Sequence, residues 1–391
     1  MKNFLSFLAE QVAPEKSKAV KHLSHLGGEA HFNSKEESEA DLKRLEDLHK
    51  YLKGDQSTTK SVVIKADGSP SFEMGHVKNP ETGQREFGVA YKGASKGYAF
   101  NQKDIDEKFG HSEGLHSKMS QLLEHGKKVL SPLHGVYQGD FMGSSKDGTI
   151  KKEGDEITHK ENLIKYHYPA NSEEGKAVKR AKISLSLHTR IDKEQPEYEV
   201  DTSKFYSHPD VHIFNNKLNK RNLNYNLDDR KDFEKHYTKA MQHFANIDNH
   251  DELIQGHSQH LHTYINKTVR TGTAPSPAGY KKHLDTVLQK EVEKVKKPET
   301  KMKKFNDKLA MMHHVETNKQ QFGELFNAHR SLDRAKNILL KTLENSGQNQ
   351  KHTIDGQHTN PEGFVVAYKD GSVAKVVNRS KEGFSGKNLN K

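Results

Sequence analysis

The 391-residue chain sets 63 Lys and Arg against 53 Asp and Glu, a formal charge of +10, and its 26 histidines add to that charge in acid. Cysteine is absent, which excludes disulfides, thiolate zinc sites and a cysteine nucleophile; no apolar run approaches the roughly 18 residues of a membrane span. An apolar fraction of 31% and a mean hydropathy of −0.98 imply a modest core under much solvated surface, and the basic surface favours phosphate-bearing partners.

In chain order, MKNFLSFLAE is too short and too interrupted for a secretory signal. It reads as a short amphipathic helix with Phe4, Leu5 and Leu8 on one face, followed by a polar linker over 11–34. From Ser34 a serine cap, an acidic first turn and Leu42, Leu45, Leu48 and Leu52 at helical spacing predict a helix. VVIKADG is a β-branched strand that stops at Asp67-Gly68, which leaves Lys65 at its end. SFEMGHV and REFGVAYKG around KNPETGQ predict a hairpin, 112–130 a helix, and HGVYQGDFMG and AKISLSLHT two further strands.

From about 200 to 347 helical periodicity replaces strand signals, and SGQNQ stops the last helix. EGFVVAYKDGSVAKVVN then returns to strand chemistry around Asp370-Gly371. A lone hairpin there is unstable, so it must pair back onto the earlier strands. The expected layout is a leader and linker over 1–30, the first part of a core over 31–199, a helical insertion over 200–350, and a closing hairpin and tail over 351–391. Basic stretches in the insertion such as KKHLDTVLQKEVEKVKK read as solvated helix faces that could also grip a phosphate backbone. His257, His260, His262 and the pair His313-His314 read as exposed or capping histidines before they read as a metal site.

Polar residues recur at strand ends: Lys65 in KADG, Lys92 and Lys96 in YKGASKG, Asp140 in YQGD, Glu362 in EGFVV and Lys375 in AKVV. A lysine at a strand end is ordinarily a solvated amine, and becomes a nucleophile only where its surroundings free the lone pair. Lysines and two carboxylates around one cleft are the parts needed to attack a phosphate.

This ordered set resembles the covalent nucleotidyltransferase superfamily of polynucleotide ligases and messenger RNA capping enzymes. The matching segments are KADG at 65–68, YQGD at 137–140, EGFVV at 362–366 and AKVV at 374–377. The resemblance implies an α+β fold with an antiparallel-sheet, ATP-grasp-like ligase core and a large helical insertion. It implies that Lys65 forms a lysyl-AMP from ATP, with Asp67, Gly68, Lys92, Lys96, Asp140 and Lys375 binding the nucleotide. Glu362 and Asp140 would hold Mg2+ or Mn2+. The chain departs from the pattern at Asp140, where ligases carry glutamate, and at Val377, where a second lysine is usual. Too few residues follow AKVV for the OB domain of DNA ligases and capping enzymes, so RNA ends are the expected acceptor before DNA. The alternatives are NMP transfer to a protein, or a non-catalytic basic nucleic-acid-binding internal virion protein on the same scaffold.

The chain is also similar to an uncharacterised family of large tailed bacteriophages, with a short leader, a K-x-D-G-x-P strand and a late E-G-F-V hairpin. Leu8-Ala9-Glu10 fits the tripeptide after which prohead proteases cut. The resemblance implies the host cytoplasm, with the capsid interior as a further location after cleavage following Glu10.

Overall fold

The computed structural model describes residues 23–131, 135–194, 196–218, 223–346, 351–381 and 384–389. The leader helix and Leu8-Ala9-Glu10 lie outside the described residues. The strands are β1 (Ser24–His25), β2 (Thr59–Lys65), β3 (Ser71–Lys78), β4 (Arg85–Tyr91), β5 (Val136–Ser144), β6 (Ile150–Glu153), β7 (Glu156–His159), β8 (Lys165–Pro169), β9 (Ile183–Arg190), β10 (Val211–Ile213), β11 (Lys351–Ile354), β12 (Gln357–His358), β13 (Gly363–Tyr368) and β14 (Val373–Val377). The helices are α1 (Lys35–Leu52), α2 (Gln102–Phe109), α3 (Glu113–Gly126), α4 (Glu173–Arg180), α5 (Leu227–Ala245), α6 (His250–Ile254), α7 (Ser258–Thr271), α8 (Pro277–Lys294), α9 (Pro298–Thr317), α10 (Lys319–Asn345) and α11 (Phe384–Leu389). The chain is thus mixed α and β, with mainly antiparallel sheets and, among the described residues, no barrel.

Two compact units emerge. The first draws its described residues chiefly from Ser61–Asn219 and Gly347–Ala367, the second from Ser24–Lys60, Lys220–Ser346 and Tyr368–Lys391. In the first unit a five-stranded sheet runs β10-β9-β5-β3-β4 and another β12-β11-β8-β7-β6, while β13 returns beside β2 as the instability of a lone hairpin requires. The expected β3–β4 hairpin pairs without interruption from Phe72 opposite Tyr91 to Lys78 opposite Arg85. Central between β3 and β9, β5 is buried at all nine positions. That burial has a consequence for function, because any carboxylate on β5 must find partners inside the fold. Phe72, Met74, Phe109, Leu122, Phe141 and Leu187 fill the core beneath this sheet.

The second unit is helical, with Phe32, Leu261, Tyr280, Leu284, Phe322 and Phe326 at its centre. Ser34 caps α1 as expected, its Oγ accepting from the Glu37 amide at 3.1 Å. Its destination differs from the expected layout, since α1 packs in the helical unit and not in the β-rich core. His49 stacks on Phe233 with centroids 4.3 Å apart, and the Tyr237 hydroxyl donates to the Leu42 carbonyl at 3.4 Å. The helical body is therefore assembled from three chain segments and is more than an insertion over 200–350. Residues 24–34 are not a linker either: Leu26 and Phe32 are fully buried, and β1 pairs in parallel with β14. Two apolar anchors in an otherwise polar stretch carry no periodicity, so the sequence pattern conceals them.

Strand structure also persists past residue 200, where β10 pairs in parallel with β9. The stretch between the last helix and Glu362, in which no strand was expected, contains β11, which pairs with β8. His257 departs from the reading of exposed histidines. It is buried, with Nδ1 2.9 Å from the Tyr280 hydroxyl and Nε2 3.0 Å from Nδ1 of His314. No helix among the described residues is long and apolar enough to cross a membrane.

Candidate active site

Lys65 is the last residue of β2, following three buried β-branched residues, and its side chain is 30% exposed. Its Nζ stands 2.5 Å from Oε1 of Glu362, the residue immediately before β13. Because β13 lies beside β2, a lysine at the end of one strand meets a carboxylate at the start of the other. Burial works to lower the Lys65 pKa, but the negative charges of Glu362, Asp140 and Asp67 outweigh it and hold the amine above its ordinary range. Burial is likewise the largest influence on Glu362 and raises its carboxyl against the pull of Lys65.

Asp140 sits in β5 opposite Ser71 of β3 and Ser186 of β9. The Ser71 hydroxyl donates to its Oδ1, and Nε2 of His188 stands 3.5 Å from its Oδ2. Burial opposes ionisation here too, yet His188, Lys65 and the Ser71 hydroxyl together keep the Asp140 carboxyl below its ordinary range. Of the acids around Lys65, Asp140 is the one whose neighbours outweigh its burial.

Asp67, which the resemblance assigns to the nucleotide, is engaged within the fold. Its carboxylate accepts from the Asn162 side chain at 2.6 Å and from the amides of Leu163 and Ile164 at 2.8 and 2.7 Å, while its own amide donates to the Tyr166 hydroxyl at 2.6 Å. These bonds clamp the KADG turn to the approach of β8 and leave the buried carboxylate fully engaged. At Gly68 a Cβ would stand 2.7 Å from the Phe141 carbonyl oxygen and 2.8 Å from Cβ of Asp140, so glycine is what lets the turn close onto β5.

The remaining candidates divide. Lys92 is half-buried, and its amide donates to the Ser71 carbonyl at 3.2 Å, one residue's backbone from the hydroxyl on Asp140. Lys96 is exposed and turns elsewhere, its Nζ 3.1 Å from the Lys108 carbonyl and 3.2 Å from His111 at the end of α2. Lys375 belongs to the second unit, half-buried on β14 opposite His25.

Three participants escape the sequence pattern. Lys118 on α3 reaches the Ser69 carbonyl at 3.2 Å and Glu161 at 2.6 Å, with its charge 5.9 Å from the centre of the Phe141 ring. It thereby places a second lysine beside the KADGSP turn, although in the sequence it is one more polar residue on an amphipathic helix. Glu161 in turn accepts from the Thr149 hydroxyl at 2.6 Å. His188 is visible only once β9 is known to pair with β5, because it is the extra residue between the Thr189–Gln138 and Leu187–Gly139 pairs, where the register shifts beside Asp140.

Among the described residues no three His, Asp or Glu side chains form a metal-holding group. No curated protein and no solved structure matches the chain. Residues 20–391 match the family described as "Family of unknown function (DUF6267)", and the chain belongs to that family.

Proposed function

We propose that the chain is a nucleotidyltransferase that draws AMP from ATP onto Lys65 and passes it to the 5′-phosphorylated end of a nucleic acid, RNA before DNA. The observation that carries the reading is convergence. Lys65, Asp140 and Glu362, drawn from three distant stretches of the chain, lie within one electrostatic neighbourhood in which three carboxylates surround one ammonium. In this reading the first unit is the ligase-like core.

The resting ammonium gives a proton to Glu362, 2.5 Å away, whose carboxyl burial has made a readier acceptor. The freed lone pair forms a P–N bond to the α-phosphorus while the bond from that phosphorus to the pyrophosphate oxygen breaks. Pyrophosphate leaves with the electron pair, and the excess proton on nitrogen passes to solvent. In the second step an oxygen of the acceptor's 5′-phosphate attacks the same phosphorus, the P–N bond breaks, and Lys65 recovers its proton. A neighbouring hydroxyl, giving its proton to solvent, then forms a P–O bond to the acceptor's own phosphorus while the bond from that phosphorus to the AMP oxygen breaks, and AMP leaves with the electron pair as the ends are sealed. Asp140 is a hard oxygen donor suited to Mg2+ or Mn2+, which takes one or two carboxylates together with substrate phosphates, and Glu362 would be the other only while ionised, before it takes the Lys65 proton; Asp67, committed to three donors, is not. Such an ion would neutralise charge on the phosphates. In this reading Lys92, whose backbone amide donates to the Ser71 carbonyl, would steady a phosphate oxygen.

The test is incubation with α-labelled ATP and magnesium or manganese. Acid-labile, base-stable label on the protein is expected, lost in Lys65→Ala, and Lys375→Ala in the same assay tests the phosphate contact that the resemblance implies. Following the label onto RNA, DNA or protein identifies the acceptor. Absence of label with all four nucleoside triphosphates and NAD overturns the reading. The tight ion pair to Glu362, which keeps Lys65 protonated at rest, is the observation that favours the second reading, a non-catalytic nucleic-acid-binding internal virion protein.

A further inference from the structure

The second unit contains a pocket of about 260 Å3 between the C-terminal turn of α7, one face of α10 and the segment that follows β14. Arg330, Arg334, Arg379 and Lys381 line it, against a single lining carboxylate, Asp333. That carboxylate is occupied: Nζ of Lys336 stands 2.6 Å from it and the Asn337 side chain donates to it at 3.1 Å. Arg379 is occupied as well, its buried guanidinium bonded to Glu29 and Asn266. Three cations remain. Arg330 touches only the neutral Asn327 side-chain oxygen, and Arg334 and Lys381 meet no carboxylate among the described residues.

Their arrangement runs against what a helix would select for its own stability. Arg330 and Arg334 are one turn apart on α10, so their like charges face one another on the same side. Lys381 comes to them across Gly272, where φ is +69° and an added Cβ would stand 3.2 Å from the lysine Cδ. The stem of Lys381 thus lies over the glycine that ends α7, which brings the ammonium to the pocket's edge. The three cations are exposed at the pocket's rim, and among the described residues no unengaged carboxylate answers them, which leaves them open to an anion. The guanidinium forks of two arginines match a phosphate's oxygens in geometry as well as charge. The volume falls below the roughly 300–1,000 Å3 of a typical small-molecule site, so it suits one phosphoryl group with its water and not a whole nucleotide.

We propose that this pocket binds a phosphate group through Arg330, Arg334 and Lys381. The group is either free inorganic phosphate or the terminal phosphate of a polynucleotide, which share the chemistry the pocket recognises. The proposal does not depend on the nucleotidyl-transfer reading, and the test keeps the two apart by using the full chain carrying Lys65→Ala alongside the natural chain.

Binding of inorganic phosphate is measured by titration calorimetry, together with competition by an oligonucleotide bearing either a 5′-phosphate or a 5′-hydroxyl. Saturable phosphate binding is expected in both chains. Arg330→Ala/Arg334→Ala should weaken it at least tenfold, Lys381→Ala less, and the Arg→Lys pair should restore part of it, with circular dichroism unchanged throughout. Displacement by the 5′-phosphorylated oligonucleotide alone assigns the pocket to polynucleotide ends, and failure of both oligonucleotides to compete assigns it to the free anion. The proposal is overturned if neither phosphate nor the phosphorylated oligonucleotide binds saturably, or if the double alanine variant binds them as tightly as the natural chain.

Discussion

At Lys65 two forces act on one amine: burial pushes it toward neutrality, and the carboxylates of Glu362, Asp140 and Asp67 hold it charged. Replacing the nearest carboxylate therefore separates them. In Glu362→Gln the Lys65 pKa should fall, so that at mildly alkaline pH the amine reacts several-fold faster with acetic anhydride, each unit of pKa being worth about tenfold in free amine. Peptide mapping of competitive acetylation reads this without any assumption about catalysis. An unchanged Lys65 reactivity would mean that the ion pair does not govern the amine. At this scale the sequence was legible where chemistry and position coincide. Lys65, Asp140 and Glu362 each end or interrupt an apolar run, and they meet in the first unit. The engagement of Asp67 within the fold was not legible, because its three donors come from 162–164, a stretch with no pattern of its own. Lys118 and His188 were not legible at all, since each depends on which faces the tertiary pairing turns inward.

At the scale of elements, β2, β3, β4, β5 and β9 follow from β-branched and aromatic runs, α1 from its cap and leucine spacing, and α3 from its apolar spacing. The meander β6–β7–β8 and its partner β11 do not, because their strands read IKKE, EITH, KYHYP and KHTI, in which Lys, Glu and His mask the alternation. Burial there rests on tyrosine and histidine bodies, such as Tyr166 against His352, which hydropathy scores as polar. The helix pair α8–α9 poses the opposite problem: its periodicity is plain and its surface is open to two readings. Lys296, Lys297, Lys301 and Lys303 cluster where α8 gives way to α9, all exposed, and the exposed Met302 and Phe305 lie among them. If this surface holds a phosphate backbone, replacing the four lysines by alanine should weaken single-stranded RNA binding. It should also flatten the salt dependence by about 0.7 in log–log slope for each phosphate that a lysine no longer neutralises. Fluorescence anisotropy between about 50 and 200 mM salt measures that slope. The same slope in both proteins would leave these lysines as a solvated helix face.

Across the whole molecule, the large histidine complement matters most in acid. Burial holds His49, His257, His283, His329 and His352 down to about 4, against an ordinary value of 6.5, so each is neutral in the fold where the unfolded chain would bind a proton. The sign follows from proton counting. Between pH 6.5 and 4 the unfolded state carries more protons, so stability rises with pH in that window and falls as the solution is acidified. Above it these residues contribute no pH dependence. At pH 5 each depressed histidine costs about 2 kcal/mol relative to neutral solution. His352 is the clearest single case. Its ring meets Tyr166 edge-on at 5.0 Å in the first unit, and its Nε2 is buried without a hydrogen-bond partner among the described residues. A phenylalanine there keeps the edge-on ring contact and removes both the titration and the unpartnered nitrogen. In His352→Phe the first unit's resistance to urea should therefore change less between pH 7.5 and 5 than in the natural chain. The difference should approach about 2 kcal/mol at pH 5, while near neutrality the two proteins should lie much closer together. Parallel losses of stability on acidification would show that His352 titrates normally in the fold, and the acid sensitivity would then have to come from the carboxylates instead.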